Sequence, residues 1–366
     1  MICMKLFYSF FLILFAISVL AIPADAQISR TGVLIYAGAD DANVLYERYV
    51  RPNALGFGSG ANAGIINTAT SKGVFEIEVQ LLSGIVYVPK GEKQFDVTRL
   101  DLNNASLVPG SNPNSPSVIG KRSDRSRMEV LRQVPGTGEE ISLNSFRMPD
   151  GSGLEFLVTP SFQISVGIPY DTEIILRLMP ELDLGRLGNY RFFGFGLKHN
   201  VNNWFTDPLP FDLTFSAGYN FMGLSGDLDV TPQSFDIDPN GFDDDSNWRS
   251  QKLNLGDRSW NINAVAGTEI DNWSLFGGLG YMNSSFSLDA SGKFPINELA
   301  IDEDGNGLRE LTIIEDPVDV SINSPVVIRF FGGATYNLGI TTLSAEFSYS
   351  DYLVLNVGMG IKFNRQ

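Results

Sequence analysis

Leu353-Val354-Leu355-Asn356-Val357-Gly358-Met359-Gly360-Ile361-Lys362-Phe363 is the stretch that decides how this chain is read. Successive side chains of an extended strand point to opposite faces. Leu353, Leu355, Val357, Met359, Ile361 and Phe363 therefore share one wholly apolar face. Asn356, Gly358, Gly360 and Lys362 share the other with Val354. A strand that crosses a bilayer needs about 9–11 residues with one face for lipid and one for a lumen. This stretch meets both conditions.

The same period of two returns upstream. Leu343, Ala345, Phe347 and Tyr349 oppose Thr342, Ser344, Glu346 and Ser348; Leu213, Phe215, Ala217, Tyr219 and Phe221 oppose Asp212, Thr214, Ser216, Gly218 and Asn220. Trp260, Ile262, Ala264 and Ala266 oppose Asn261 and Asn263, and Val158, Phe162, Ile164 and Val166 oppose Thr159, Ser161, Gln163 and Ser165. From Val74, Phe75, Ile77, Val79 and Leu81 oppose Glu76, Glu78 and Gln80. The polar faces are rich in Gly, Ser, Thr and Asn, which suits a crowded lumen better than the outer face of a soluble sandwich.

Strands are expected near 74–88, 154–168, 172–183, 189–199, 211–226, 252–270, 273–290, 319–336, 340–349 and 352–364. Tight turns at Pro169-Tyr170-Asp171, Asp271-Asn272 and Asn337-Leu338-Gly339 fall on one side with the link 200–210; the long loops 89–153, 227–251 and 291–318 fall on the other. Short turns on the periplasmic side and long loops outside are the pattern of an outer-membrane barrel. The fold class is therefore all-β, an antiparallel transmembrane β-barrel of about 10 strands with a short N-terminal helical or plug segment. The count stays open to 12–14, because Gln94–Leu100 and Ile141–Met148 could add a hairpin. An even count puts both termini on the short-turn side.

Three units follow: 1–26, 27–72 and 73–366. The first has Lys5, an apolar run from Leu6 to Ile22, and Ala24-Asp25-Ala26 before Gln27. That order marks a secretory signal peptide cut after Ala26. Cys3, the one cysteine, lies within it, so no disulfide or thiolate site is expected in the remainder. No second run of about 18 apolar residues predicts a transmembrane helix. The net charge of −16 argues against a nucleic-acid partner, which needs a basic surface. Within 27–72, Ala39 to Tyr49 reads as a short helix that Asp40 or Asp41 caps and Pro52 stops; the Gly-, Ala- and Asn-rich run from Asn53 reads as a plug or periplasmic linker.

The run Ala39-Asp40-Asp41-Ala42-Asn43, then Tyr49, Pro52, Gly56-Phe57-Gly58, Asn62 and Asn67-Thr68-Ala69, continues into Val88-Pro89 and Lys93-Gln94-Phe95-Asp96. Over about residues 37–100 it resembles an uncharacterised family of secreted, barrel-type outer-membrane proteins. A helical, Gly- and Asn-rich plug ahead of a barrel is also distantly similar to the long-chain fatty-acid transporter group. That likeness implies passage of hydrophobic small molecules through a barrel of fourteen strands.

Two outward loops carry oxygen ligands at alternate positions and a glycine at the sixth: Asp236, Asp238 and Asn240 before Gly241, and Asp302, Asp304 and Asn306 before Gly307. This is the first half of a calcium loop, and Asn247 and Ile313 stand where a closing Glu belongs. Calcium is thus a candidate cofactor. His199, the only histidine, stands at a strand end without a nucleophile beside it, and Gly194-Phe195-Gly196 opens no helix, so no enzyme is expected. The expected lumen face comprises Glu76, Glu78, Gln80, Arg177, Arg191, Asp212, Asn261, Asn263, Glu269, Glu346, Asn356 and Lys362. Outer-membrane lipid and a small-molecule solute are the expected partners. The expected function is transport or channel activity for small solutes, hydrophobic ones included; the alternative is a plugged structural or binding barrel presenting acidic loops.

Overall fold

The computed structural model describes residues 28–122, 125–154, 156–183, 185, 188–207, 209–244, 248 and 250–363. The signal-peptide reading of 1–26 and the closing position Asn247 lie outside them.

Ten strands form the wall: β1 (Ile77–Tyr87), β2 (Phe156–Ile168), β3 (Thr172–Asp183), β4 (Asn189–Asn200), β5 (Asp212–Asp227), β6 (Lys252–Ile270), β7 (Trp273–Ser291), β8 (Val327–Leu338), β9 (Thr341–Tyr349) and β10 (Leu353–Phe363). Each pairs antiparallel with the next, and β1 closes on β10 from Ile77↔Phe363 to Tyr87↔Leu353. Closure leaves the wall no free edge. The tight turns use positive φ at Tyr170, Asp171, Asp271 and Gly339 and all lie at one end.

The long-loop end carries more structure than the sequence suggested. The two segments expected to add a hairpin do not pair with each other: Gln94–Asp96 pairs with Asn114–Pro116, and Glu140–Arg147 pairs with Arg127–Gln133, whose other edge takes Ala105–Leu107. These small sheets are separate from the wall and do not raise its strand count to twelve or fourteen. Within the expected loop 291–318, Lys293–Ile301 and Gly307–Glu315 form a hairpin that buries Phe294 and Ile296. Val318–Asn323 covers the upper part of β7 before β8 takes over the lower part. Strands β6 and β7, 19 residues each, continue beyond the point where β8 begins and carry the wall into this cap.

The N-terminal segment occupies the lumen. A 3-10 stretch, Ile28–Ala37, lies at the long-loop rim, where Ile28 sits beside Gly226 and Gly32 beside Val230. Helix α1 (Ala39–Asn62) then descends through the barrel, and residues 63–72 reach the short-turn mouth, where Ser71 Oγ donates to the Asp171 carbonyl at 2.9 Å. The ends of the barrel, Ile77 and Phe363, lie on the short-turn side as expected; residue 28, against that expectation, lies at the opposite rim.

Pro52 does not stop α1, which runs through it to Asn62. Proline and the glycines at 56, 58 and 60 are poor helix formers. The packing inside the barrel selects them instead. A Cβ on Gly60 would lie 2.8 Å from the Thr159 side chain and 2.9 Å from Val86, and Gly56 and Gly58 press as closely on Leu157 and Ser284. Nor do Asp40 and Asp41 cap the helix: Gly38 is the N-cap. Asp41, fully buried, accepts from the amides of Asn103, Asn104 and Ala105 at 2.7, 2.8 and 2.6 Å, tying α1 to the first long loop.

The lumen has two layers. In the long-loop half, Leu157, Phe192, Leu255 and Phe286 from the wall pack on Leu45, Tyr46, Val50 and Phe57, an apolar core where a polar channel was expected. Each fully buried side chain of this kind stabilises by about 1.5–3 kcal/mol. The short-turn half is mixed: a small apolar cluster of Ile65, Ile66, Ile175, Val265, Phe276 and Phe331 lies among buried polar and charged side chains.

Candidate functional site

The inward row of β3 and β4 brings Glu173 opposite Lys198, and the same row of β1 supplies Glu78. Lys72, at the end of the lumen segment, completes the group. Its Nζ lies 3.0 Å from Glu78 Oε2 and 3.0 Å from Glu173 Oε2, while Lys198 Nζ lies 2.7 Å from Glu173 Oε1. Two acids and two bases, each nearly inaccessible, thus neutralise one another. Backbone groups of the lumen segment join them: the Lys72 amide donates to Glu173 at 2.9 Å and Lys198 donates to the Thr70 carbonyl at 2.7 Å. Asn67 Nδ2 donates to Glu78 at 3.2 Å.

A second set holds the C-terminal end of α1. Arg329 pairs with Glu346, which also accepts from the Gly64 amide at 3.0 Å. Arg177 Nη1 donates to the Ala61 carbonyl at 2.6 Å and its guanidinium stacks 5.1 Å from the Phe192 ring centroid. Asn261 donates to Asn62 Oδ1 at 2.8 Å and Asn263 donates to Asn261 at 2.8 Å. In a water-poor lumen these charge-assisted bonds fix register as well as position.

Seven of the expected lumen residues, Glu78, Gln80, Arg177, Asn261, Asn263, Glu346 and Asn356, point inward and are buried. Asp212 and Lys362 lie in the inward rows at the short-turn mouth, where Asp212 accepts from Thr70 at 3.1 Å and Lys362 donates to Asn337 at 3.0 Å. Three others differ. Glu76 precedes β1 and accepts from the Gly73 amide at 3.1 Å, because Phe75 at φ 61° breaks the alternation there. Glu269 is exposed at the end of β6 and accepts from Ser274. Arg191 faces outward: Tyr190 and Phe192 are the buried residues of β4, so parity puts the arginine on the outer wall. Lys72, Glu173, Lys198 and Arg329 escaped the sequence reading; the strand parity that found Arg177 would have found all but Lys72.

The acidic loops are brought together, through Arg309. Its Nε and Nη2 donate to Asp236 at 3.0 and 2.9 Å, its amide donates to the same carboxylate at 2.9 Å, and Ile237 bridges Glu310. These hydrogen bonds hold the Asp236 carboxyl down at about 2. Asp238 accepts from the amides of Phe242 and Asp243 at 2.8 and 3.0 Å. Asp302 accepts from the amides of Asp304 and Asn306 at 3.0 and 2.7 Å and from Asn306 Nδ2 at 2.9 Å. Both turns are closed by their own side chains, and among the described residues no three acidic, histidine or cysteine side chains gather as metal ligands. Asn240 carries an amide rather than a carboxylate, and Asp304 joins its turn through its backbone amide. His199 Nδ1 lies 2.8 Å from Thr172 Oγ1, with its ring 5.3 Å from Trp204.

A closed ten-stranded antiparallel barrel filled by its own N-terminal helix is the class of protein that fold and site define. The chain belongs to the family of unknown function DUF6588, whose model matches residues 4–363. No curated protein matches it. Among solved structures, the translocator domain of the autotransporter NalP from Neisseria meningitidis is similar at 9% identity over 90% of this chain and 99% of that one, with a TM-score of 0.27. The outer membrane transporter YddB from Escherichia coli is similar at 9% identity over 79% of this chain, with a TM-score of 0.27; the match spans 41% of that chain. The β domain of the Bordetella autotransporter BrkA is similar at 9% identity over 80% of this chain and 100% of that one, with a TM-score of 0.23. At such TM-scores these likenesses carry no argument about function.

Proposed function

We propose that the chain is an outer-membrane barrel, closed by its own N-terminal segment, whose role is non-catalytic: it anchors and presents the cap of outer loops. The membrane reading rests on the belt of large apolar side chains facing out around the wall, among them Ile174, Leu197, Phe215, Ile262, Leu279, Phe330 and Phe347. Water-soluble surfaces rarely expose so continuous an apolar band. Short turns at one end and a structured cap at the other orient the barrel, with the cap outside.

The observation that carries the closed reading is the burial of α1: Leu45, Tyr46 and Asn62 are wholly inaccessible. A barrel of about this size has room for side chains or for one small ligand, and here protein occupies that room. Planar-bilayer recording tests the proposal. The wild-type chain is expected to give no steady conductance, whereas Lys72→Ala, which strips Glu78 and Glu173 of a shared partner, is expected to give flickering openings. Steady wild-type conductance would sink it.

A second reading has one observation in its favour. Residues 63–72 have no regular structure and are held by ion pairs, a connection that can be exchanged for others. On that reading the segment moves to admit a small solute, and uptake that depends on Lys72 would support it. The ten-stranded wall is narrower than the fourteen strands implied by the resemblance to long-chain fatty-acid transporters, so a hydrophobic solute gains no support from the wall.

A further inference from the structure

The outer wall of β4 to β7 carries two arginines where the membrane reading calls for a boundary. Outward along β5 run Leu213, Phe215, Ala217, Tyr219 and Phe221, and then Gly223. Eight steps of ~3.3 Å at a tilt of ~40° rise about 20 Å, close to the apolar height of a barrel wall. Phe221 is paired with Arg258 on β6, and Gly223 is paired with Arg191 on β4. On β7 the same tier changes from Leu279 and Tyr281 to Ser285 and Ser287. Both arginines therefore stand in the first polar tier on the cap side.

Neither arginine has an ion pair or a hydrogen bond among the described residues, in a chain of net charge −16. They flank a groove of about 760 Å³ whose outer side is formed by Gly223, Gly256, Ser285 and Ser287 and which reaches inward to the buried side chains of Met222 and Asp257. A Cβ on Gly223 would lie 2.8 Å from Arg191 Nε, so the glycine lets that side chain lie along the wall. Directly below, Phe193, Tyr219 and Phe221 make an aromatic floor, with ring centroids 6.4 Å apart for the first and third and 4.8 Å for the last two. The nearest outward acids on β7 and the strand beside it, Asp289 and Asp319, are paired with each other further toward the cap.

We propose that this groove seats the phosphorylated headgroup of a lipid of the outer leaflet. Guanidinium groups bind phosphate through paired, charge-assisted hydrogen bonds. The serine hydroxyls offer further donors, and the aromatic floor continues into the apolar belt, where acyl chains lie. That continuity favours a lipid over a free phosphate ion. The proposal rests on the membrane reading and is independent of whether the lumen conducts.

The test places the full chain in phosphatidylcholine vesicles with a minor fraction of a bis-phosphorylated glycolipid, lipid A, and measures the lipid retained per barrel by native mass spectrometry. Wild type is expected to retain lipid A above its bulk fraction and to show no preference for the dephosphorylated glycolipid with the same acyl chains. Arg191→Gln with Arg258→Gln is expected to weaken retention about thirty-fold, while Arg→Lys at both positions, which keeps the charge and loses the paired hydrogen bonds, falls between the two. Equal retention of the two glycolipids by wild type overturns the proposal without any variant. So does undiminished retention by the folded Gln variant, or displacement of lipid A by inorganic phosphate at millimolar strength. Failure of the wild type to insert into phosphatidylcholine alone would instead overturn the membrane reading beneath it.

Discussion

Glu173 touches two lysines and one backbone amide without access to water, and that makes it the most consequential single carboxylate of the wall. Its replacement by Gln leaves Lys72 and Lys198 as buried cations with one acid between them. Breaking a buried pair on one side costs about 3–5 kcal/mol. Glu173→Gln should therefore lower the temperature at which the folded, fast-migrating form is lost on unboiled gels far more than Arg309→Ala does. Arg309 and Asp236 are about a third exposed, and a pair at the surface stabilises by only about 0–1 kcal/mol. The same pair has a signed pH dependence. Because Asp236 is depressed in the fold, its contribution is complete above its ordinary value near 3.8 and is lost as pH falls through about 2. Proteolysis of the cap around Arg309 is expected to rise over that interval and to be insensitive to pH above it. Asp302→Ala should loosen its turn equally with calcium and with chelator, since its oxygens serve backbone amides; a calcium-dependent melting shift that this substitution abolishes would restore the metal reading.

At the scale of elements, α1 shows how a barrel lumen rewrites helix preferences. In solvent, Gly60→Ala would favour a helix by about 1 kcal/mol. Here it should destabilise, because Thr159 and Val86 stand where the methyl would go. Chemical-denaturation midpoints of Gly60→Ala against an exposed substitution such as Glu47→Ala would read the difference. The strands were legible because lipid and lumen impose a period of two on every one of them, as Leu353 to Phe363 shows most plainly. The helix was legible only to Pro52, since rules drawn from solvated helices forbid what close packing at Gly56, Gly58 and Gly60 requires. The hairpin at 293–315 stayed hidden in an expected loop because its residues, Ile313 and Ile314 among them, are apolar on consecutive positions. Of the charged cluster, parity located Glu78 and, applied to β3 and β4 in full, would have located Glu173 and Lys198, whereas Lys72 comes from an irregular segment with no pattern to locate it. Arg191 was misplaced because Phe192 and Phe193 make β4 apolar on both faces.

For the whole molecule, the decisive arrangement is a segment that runs the length of the lumen from cap to mouth. It predicts that a short epitope placed immediately before Ile28 is reached by antibody on the cap side of intact cells, while one placed after Phe363 is not. Equal labelling of both would contradict the path of the segment. It also predicts that Asp41→Ala, which frees three amides of the first long loop, loosens the cap and the upper end of α1 together, seen as joint loss of hydrogen-exchange protection at 39–50 and 103–105.

The seam between β1 and β10 joins the first and last strands of the wall. A ring that shuts only when the eleven residues of β10 arrive cannot readily be threaded afterwards by a helix bearing Tyr46, Tyr49 and Phe57. The rod must already lie in place, and the staves must gather round it. Assembly is therefore expected to be ordered in time: Lys72 at the foot of the rod seats it against Glu78 and Glu173, and the last stave fastens the cask. Weakening the seam should leave a slow, rod-bound, open species; loosening the foot should leave a ring that closes empty.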